Sequence, residues 1–283
     1  MEVEEILVEE QKHWTEKLFI EHGEIIIREM ERQLRKTEGE INALVKIFSW
    51  EEVPSGGKIL DLCCGIGRHS LLLAEKGYQV VGVDLSPVLI SRARELANSR
   101  GIEDKVDFLE GDMRNIEELL SGENFNAVIN MNTSFGYYGE EEDREVLRQL
   151  LELSAPEGVF IIDVGNRDGI IRHFLSRDIQ EPAEGMLKVI TRTLELECSR
   201  IENIYEYYEK TGETLKRVAG VKIDHRLYSL HELVQLVERE GWKYIRSFGG
   251  FSLEPCTIDS SRIILVAKKS ENKATKRSGS SLI

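Results

Sequence analysis

Chemically capable residues are densest at positions 59–70, ILDLCCGIGRHS, where an apolar run meets Asp61, adjacent Cys63 and Cys64, and glycines at 65 and 67. A strand, a tight glycine turn and a helix in succession aim backbone N–H groups at a ligand on the carboxyl end of a sheet. A dinucleotide site would use GxGxxG, whose third glycine allows close helix–strand packing while the helix N-terminus faces a pyrophosphate. Here Ser70 takes that third place, and Asp61 would set a carboxylate against an incoming pyrophosphate. Asp61 suits a ligand carrying positive charge better. Thiol chemistry is the other reading of the loop, since a cysteine near a helix N-terminus can have a lowered pKa. Asp61 opposes it, and no His–Asp pair accompanies the cysteines.

Asp84 closes the run QVVGVD about 20 residues beyond the first loop glycine, the separation at which an acid reaches ribose hydroxyls in a Rossmann-like unit. Cys63, Cys64, Cys198 and Cys256 form no CxxC and no Cys/His ligand spacing, so neither a metal site nor a disulfide framework is expected. Small buried side chains are the expected role of these cysteines.

Alternating elements must position the acids. Lys58–Leu62, Gln79–Val83, Val106–Leu109, Phe125–Met131 and Val159–Val164 read as strands, with helices between them. HSLLLAEKG ends on a glycine cap; SPVLISRARELANSRG starts with Ser86 as N-cap and Pro87 in the first turn. EEEDREVLRQLLELSAPEG reads as a helix ending before Pro156. This rhythm predicts an α/β fold: a doubly wound, mostly parallel, seven-stranded sheet with helices on both faces. Its last two strands, near Lys243–Phe248 and Arg262–Lys268, form a hairpin-like pair after the helix Ser229–Glu240.

Two segments depart from the rhythm. Residues 1–50, which include Ile6, Leu7, Trp14 and Leu18, carry apolar residues at helical spacing, with a break at His22-Gly23, and predict an N-terminal helical cap. Residues 167–227 alternate apolar and polar positions and predict two to four inserted antiparallel strands. The core is thus expected over 51–166 and 228–269, with a disordered tail at 270–283.

The net charge of −14 argues against a broad grip on nucleic acid, which rests on many Lys/Arg–phosphate contacts. No apolar stretch reaches the ~20 residues of a membrane span, and the acidic N-terminus lacks the features of a signal peptide. The expected location is cytoplasmic, with no membrane partner.

DLCCGIGRHS resembles motif I of class I S-adenosylmethionine-dependent methyltransferases, commonly D/E-x-G-x-G-x-G, with Cys63 where the first glycine usually stands. It is similar to a branch with a DLCCGxGRH loop that acts on small molecules or is unassigned. The resemblance continues through VVGVDLS, GDMRNI, NMNTSFGYY, GVFIIDVGNRD and RLYSLHELVQLVEREGW, over roughly residues 50 to 270. It implies S-adenosyl-L-methionine as cofactor and S-adenosyl-L-homocysteine as product. It also implies a cofactor site of Asp61, Cys63, Gly65 and Gly67 in the loop and Asp84 on the ribose, with Leu85 against the adenine. Asp112 and the Met113 N–H would serve adenine N6 and N1, and the carbonyls of Asn130 and Met131 the methionine amino group. His69 is expected to anchor helix to loop.

The acceptor should enter beside the ends of the fourth and fifth strands. Candidates there are NTSFGYY (132–138), Asn166-Arg167, and Tyr205, Tyr207, Tyr208, His225 and Arg226 of the insert, with Tyr137 and Arg226 singled out for substrate binding. No [DN]PP[YF] and no Pro-Cys follows the fourth strand, which removes support for adenine-amino, glutamine and cytosine-C5 methylation. No residue is forced as a general base. The expected activity is methyl transfer to a small-molecule acceptor, with homodimer formation left open. A noncatalytic binding module and a nicotinamide-dependent oxidoreductase remain the alternatives.

Overall fold

The computed structural model describes residues 12–270. Ile6, Leu7 and the tail from position 271 onward lie outside the described residues. Seven strands form the main sheet: β1 (Lys58–Leu62), β2 (Gln79–Asp84), β3 (Val106–Glu110), β4 (Phe125–Asn130), β5 (Ser154–Gly165), β10 (Trp242–Phe248) and β11 (Arg262–Lys269). Their order is β10-β11-β5-β4-β1-β2-β3, with β11 antiparallel to both neighbours and the other pairs parallel. The strand order reverses beside β1, between β4 and β2, and this places a ligand crevice at the carboxyl ends there.

Strand alternation sends Leu60, Leu62, Val81, Val83 and Val128 to one face and Ile59, Val80, Ala127 and Ile129 to the other, both buried in apolar clusters. Helices α3 (Arg68–Glu75), α4 (Pro87–Arg100), α6 (Glu140–Glu152) and α8 (Leu230–Arg239) supply much of the covering layers. Ser86 caps α4 as expected, and Ser229 with Glu232 forms a capping box on α8.

One boundary differs from the sequence expectation. α6 stops at Glu152, and β5 begins at Ser154 rather than at Val159. Ser154 already pairs with Phe125 and its hydroxyl donates to the Leu150 carbonyl, so sheet pairing overrides the helical reading of Ser154 and Ala155.

The insert is a four-stranded antiparallel sheet, β6 (Arg177–Ala183), β7 (Met186–Glu195), β8 (Arg200–Thr211) and β9 (Thr214–Arg226), preceded by α7 (Arg167–Arg172). The N-terminal segment breaks at His22, as expected; beyond it α2 (Gly23–Trp50) runs for 28 residues. Its C-terminal half buries Ile41, Leu44, Ile47 and Phe48 against the main sheet. Its N-terminal half, with Leu18, packs on Met186, Tyr207 and Ile223 of the insert and on Ile66 of the glycine loop. Cap, insert and loop therefore share one apolar cluster. Among the described residues, no helix is long and apolar enough to cross a membrane.

Candidate active site

At the carboxyl ends of β1, β2 and β4, a cavity is lined by Cys63, Asp84, Leu85, Asp112, Met113 and Tyr137, among others. The glycine loop reaches it through Gly65, whose N–H donates to Asp84 Oδ2 at 2.8 Å, while the Ser86 N–H donates to Oδ1 at 3.0 Å. A carboxylate offers about four lone-pair positions, so Asp84 keeps capacity for further donors. Burial, the largest influence, lifts its carboxyl to about 6.

A Cβ on Gly65 would stand 2.8 Å from the Met30 sulfur, so the loop and the flexible end of this cap-helix side chain are in close contact here. Gly67 does not line the cavity. A Cβ there would lie 2.5 Å from the Phe108 ring, so this glycine serves packing against β3 at the start of α3. Asp61 is also turned inward. Its Oδ2 accepts from the Ser70 N–H at 3.1 Å and the Ser70 hydroxyl at 2.6 Å, and it does not line the cavity. Ser70 is thereby explained: the residue replacing the third glycine ties α3 to β1.

Cys63 faces the cavity with φ near +60°, the left-handed region that a glycine would take without cost. Its sulfur lies 3.6 Å from that of Met113. Burial, followed by the charges of Asp84, Asp61 and Asp112, pushes the thiol well above its ordinary pKa, which disposes of a thiolate nucleophile. Cys64 is likewise buried, its pKa raised by burial and then by Asp61.

Asp112 lines the cavity, but both its oxygens are held by Arg114, with Nη2 to Oδ2 at 2.6 Å. Burial raises this carboxyl; the Arg114 hydrogen bonds and charge outweigh it and leave the pKa below the ordinary value. Asn130 and Met131 do not line the cavity. The Met131 carbonyl accepts the Ser134 hydroxyl at 3.0 Å, and Ser134 takes the place at the wall. Asn130 donates to the Leu62 carbonyl at 3.2 Å, leaving its buried Oδ1 without a partner.

The loop residues after Gly67 fasten the cap. Arg68 Nη1 donates to Thr37 Oγ1 at 2.6 Å, and His69 Nε2 meets Glu40 at 2.8 Å. His69 anchors the loop, as expected, with the cap helix as its partner. The Ser86 hydroxyl also donates to the Phe19 carbonyl at 2.6 Å.

A second cavity, of about 190 Å³, lies between cap and insert. The cap contributes Trp14, Phe19, Glu29 and Met30; the insert contributes Lys188, Tyr205, Tyr207 and His225. Phe19, Met30 and Tyr137 line both cavities. The Tyr137 ring packs edge-on against Trp14, centroids 4.8 Å apart, and His225, centroids 6.5 Å apart. Asn132 and Thr133, both at positive φ, hold the loop carrying Tyr137, with their N–H groups donating to Asp163.

Arg226 lies elsewhere, lining neither cavity. Its guanidinium bridges Glu140 at 2.5 Å and Glu232 at 3.8 Å, and its N–H donates to the Gly136 carbonyl, bracing the insert on the loop after β4. Asn166 is buried, donating to the carbonyls of Thr257 and Ser260.

Sequence reasoning did not single out Met30, Phe19, Glu29 or Lys188 for the site. Ser134 and Tyr138 stood within the quoted segment NTSFGYY, so their place was marked without their roles.

The geometry fits the adenosine portion of S-adenosylmethionine on one observation, the spare acceptor capacity of Asp84 at the cavity wall. Comparison with known proteins agrees. Residues 59–158 match the family described as a methyltransferase domain. The chain is 26% identical over 220 residues to the putative methyltransferase YqeM of Bacillus subtilis, covering 77% of this chain and 87% of that one. It is 26% identical over 178 residues to the tRNA 5-carboxymethoxyuridine methyltransferase of Escherichia coli, covering 61% and 65% respectively. In fold it is similar to an S-adenosylmethionine-dependent methyltransferase from Clostridium acetobutylicum, with a TM-score of 0.73 at 16% identity over 83% of this chain and 92% of that one. The methyltransferase domain matched at 59–158 spans the glycine loop, Asp84 and Asp112, and together with the Rossmann-like α/β fold it supports an S-adenosylmethionine-dependent methyltransferase.

Proposed function

We propose that the chain methylates a small molecule seated in the cavity between cap and insert. The observation that carries this reading is the shared wall. Phe19, Met30 and Tyr137 border both cavities, so a methyl group held against them in the first faces the second. S-adenosylmethionine supplies an electrophilic methyl group on a sulfonium, which an in-line nucleophile displaces to leave S-adenosylhomocysteine.

The chain's own part is position and water exclusion. Asp84 accepts ribose hydroxyls; Leu85 and Met113 pack on adenine, and Asp112 meets its edge. Tyr137 fixes the crossing point between the two cavities, held between Trp14 and His225. A nucleic-acid acceptor, as named for the tRNA methyltransferase relative, fits less well, because a net charge of −14 works against phosphate contacts.

The test is transfer of labelled methyl from S-adenosylmethionine to panels of small amines and alcohols, with unfractionated tRNA in parallel. Label on a small acceptor that falls at least tenfold in Tyr137→Ala supports the reading. Label on tRNA alone overturns it.

A further inference from the structure

We infer that the second cavity selects an uncharged acceptor with a flat, ring-like body and one N–H or O–H group, held between His225 Nδ1 and the Trp14 indole N–H. This rests on the acceptor reading above and names the chemistry of the same cavity.

Three observations carry it. The first is the pair of orphans. Trp14 Nε1 and His225 Nδ1 are both buried without any hydrogen-bond partner, and both residues line this cavity. A buried polar group left unpaired is costly, so two in one cavity indicate a ligand that satisfies them. Indole N–H only donates, whereas a neutral imidazole can accept at Nδ1. A ligand O–H or N–H donor matches His225, and a ligand lone pair matches the Trp14 indole N–H.

The second observation is the charge state of the walls. Glu29 and Lys188, the cavity's two formally charged side chains, neutralise each other at 3.0 Å, and the Tyr207 hydroxyl donates to the same carboxylate at 3.3 Å. The ammonium of Lys188 also lies 4.0 Å from the Tyr205 ring centroid. Neither charge is left over for a ligand. A charged acceptor would enter a cavity with no unpaired counter-ion, at a desolvation cost that an uncharged one avoids.

The third is shape. Trp14, Phe19, Tyr137, Tyr205 and Tyr207 present aromatic faces and edges to one space, which suits a flat ring. His225 also borders a neighbouring cavity beyond the insert, and the Arg200–Asp224 pair lies nearest in charge. Burial, the largest cause, pulls its pKa down to about 4, Asp224 opposing and Arg200 adding, so the ring enters the neutral range well below pH 7.

Phenol, benzoate and benzylammonium serve as probes in ligand-observed NMR titrations of the full chain loaded with S-adenosylhomocysteine. The expected result is binding of phenol at least tenfold tighter than either ion. Phenol affinity should fall about fivefold or more in Trp14→Phe and in His225→Leu. Glu29→Gln frees the Lys188 charge, so this variant should gain benzoate binding. Equal affinity of wild type for phenol and either ion overturns the inference, as does unchanged phenol binding in both Trp14→Phe and His225→Leu. Affinity for S-adenosylhomocysteine, measured on the same samples, reports the cofactor cavity separately. Methyl transfer to tRNA alone would defeat the acceptor reading while these probe selectivities still stood or fell by themselves.

Discussion

The Gly65 N–H donates to Asp84 Oδ2 at 2.8 Å, so the acid that ends β2 is tied to the loop that follows β1. One hydrogen bond thereby sets the distance between two parts of the cofactor cavity. Burial is the main reason the Asp84 carboxyl rises to about 6, with the Ser86 and Gly65 N–H groups drawing it down. The fold therefore keeps this proton above the ordinary value of 3.8. Its contribution to stability is fully present below about pH 4 and is lost as pH rises through about 6.

Cofactor affinity should run the other way. Ribose hydroxyls donate to the ionised carboxylate, so calorimetric titration with S-adenosylhomocysteine should show affinity rising as pH passes about 6. Asp84→Asn should flatten that profile. Asp84→Ala should weaken binding by about 1.5–3 kcal/mol, the scale of hydrogen bonds to charged groups. Unchanged affinity in a folded variant would remove Asp84 from the site.

Gly65 and Gly67 should respond differently to alanine. Both have positive φ, at a cost of roughly 1–2 kcal/mol for a residue with a Cβ. At 67 the new methyl also strikes the Phe108 ring, where overpacking adds about 1–3 kcal/mol. At 65 it meets the flexible end of Met30, which can move. Thermal unfolding should show the larger drop in Tm for Gly67→Ala, and cofactor titration should show the larger loss of affinity per unit of lost stability for Gly65→Ala. The reverse pattern would contradict the assigned roles.

That difference was invisible in the sequence, and the reason is distance along the chain. GIG reads as two equivalent turn glycines until Phe108 of β3 and Met30 of α2 are brought onto them. The five parallel strands were legible because Leu60, Leu62, Val81 and Val83 alternate with Ile59 and Val80, a pattern local to each strand. Asp84 and Asp112 were legible because they close such strands. Asp61 shared their local signal, yet its carboxylate turns to Ser70, a partner set by how α3 packs. Arg226 had a plausible charge and place, but Glu140 and Glu232 claim it. Glu29 and Lys188 carried no signal, since they meet across 159 positions.

Cys63 should be dispensable as a thiol. Its left-handed backbone and raised pKa both favour the reading of a small residue standing in for glycine. Cys63→Ala should keep turnover, and Cys63→Gly should change stability by less than about 1 kcal/mol, because relief of the backbone offsets the flexibility of glycine. Lost turnover with intact cofactor affinity, in steady-state assays of either variant, would restore a chemical role for the thiol.

Removing residues 1–22 separates two duties of the N-terminal segment. The deletion takes away Trp14, Leu18 and Phe19 from the second cavity but spares α2, whose Ile41, Leu44, Ile47 and Phe48 are buried in the core. The shortened chain should fold and bind S-adenosylhomocysteine, perceptibly more weakly, while acceptor turnover falls at least tenfold. Full turnover would show that this segment forms no part of the acceptor's enclosure.

The most direct measurement of the central claim is a crystal structure of the full chain with S-adenosylhomocysteine bound. The account predicts ribose hydroxyls within hydrogen-bond distance of Asp84, and the sulfur facing Phe19, Met30 and Tyr137 toward the cavity between cap and insert. A sulfur turned away from those three residues, or a ligand bound outside the Cys63–Asp84–Asp112 cavity, would contradict it.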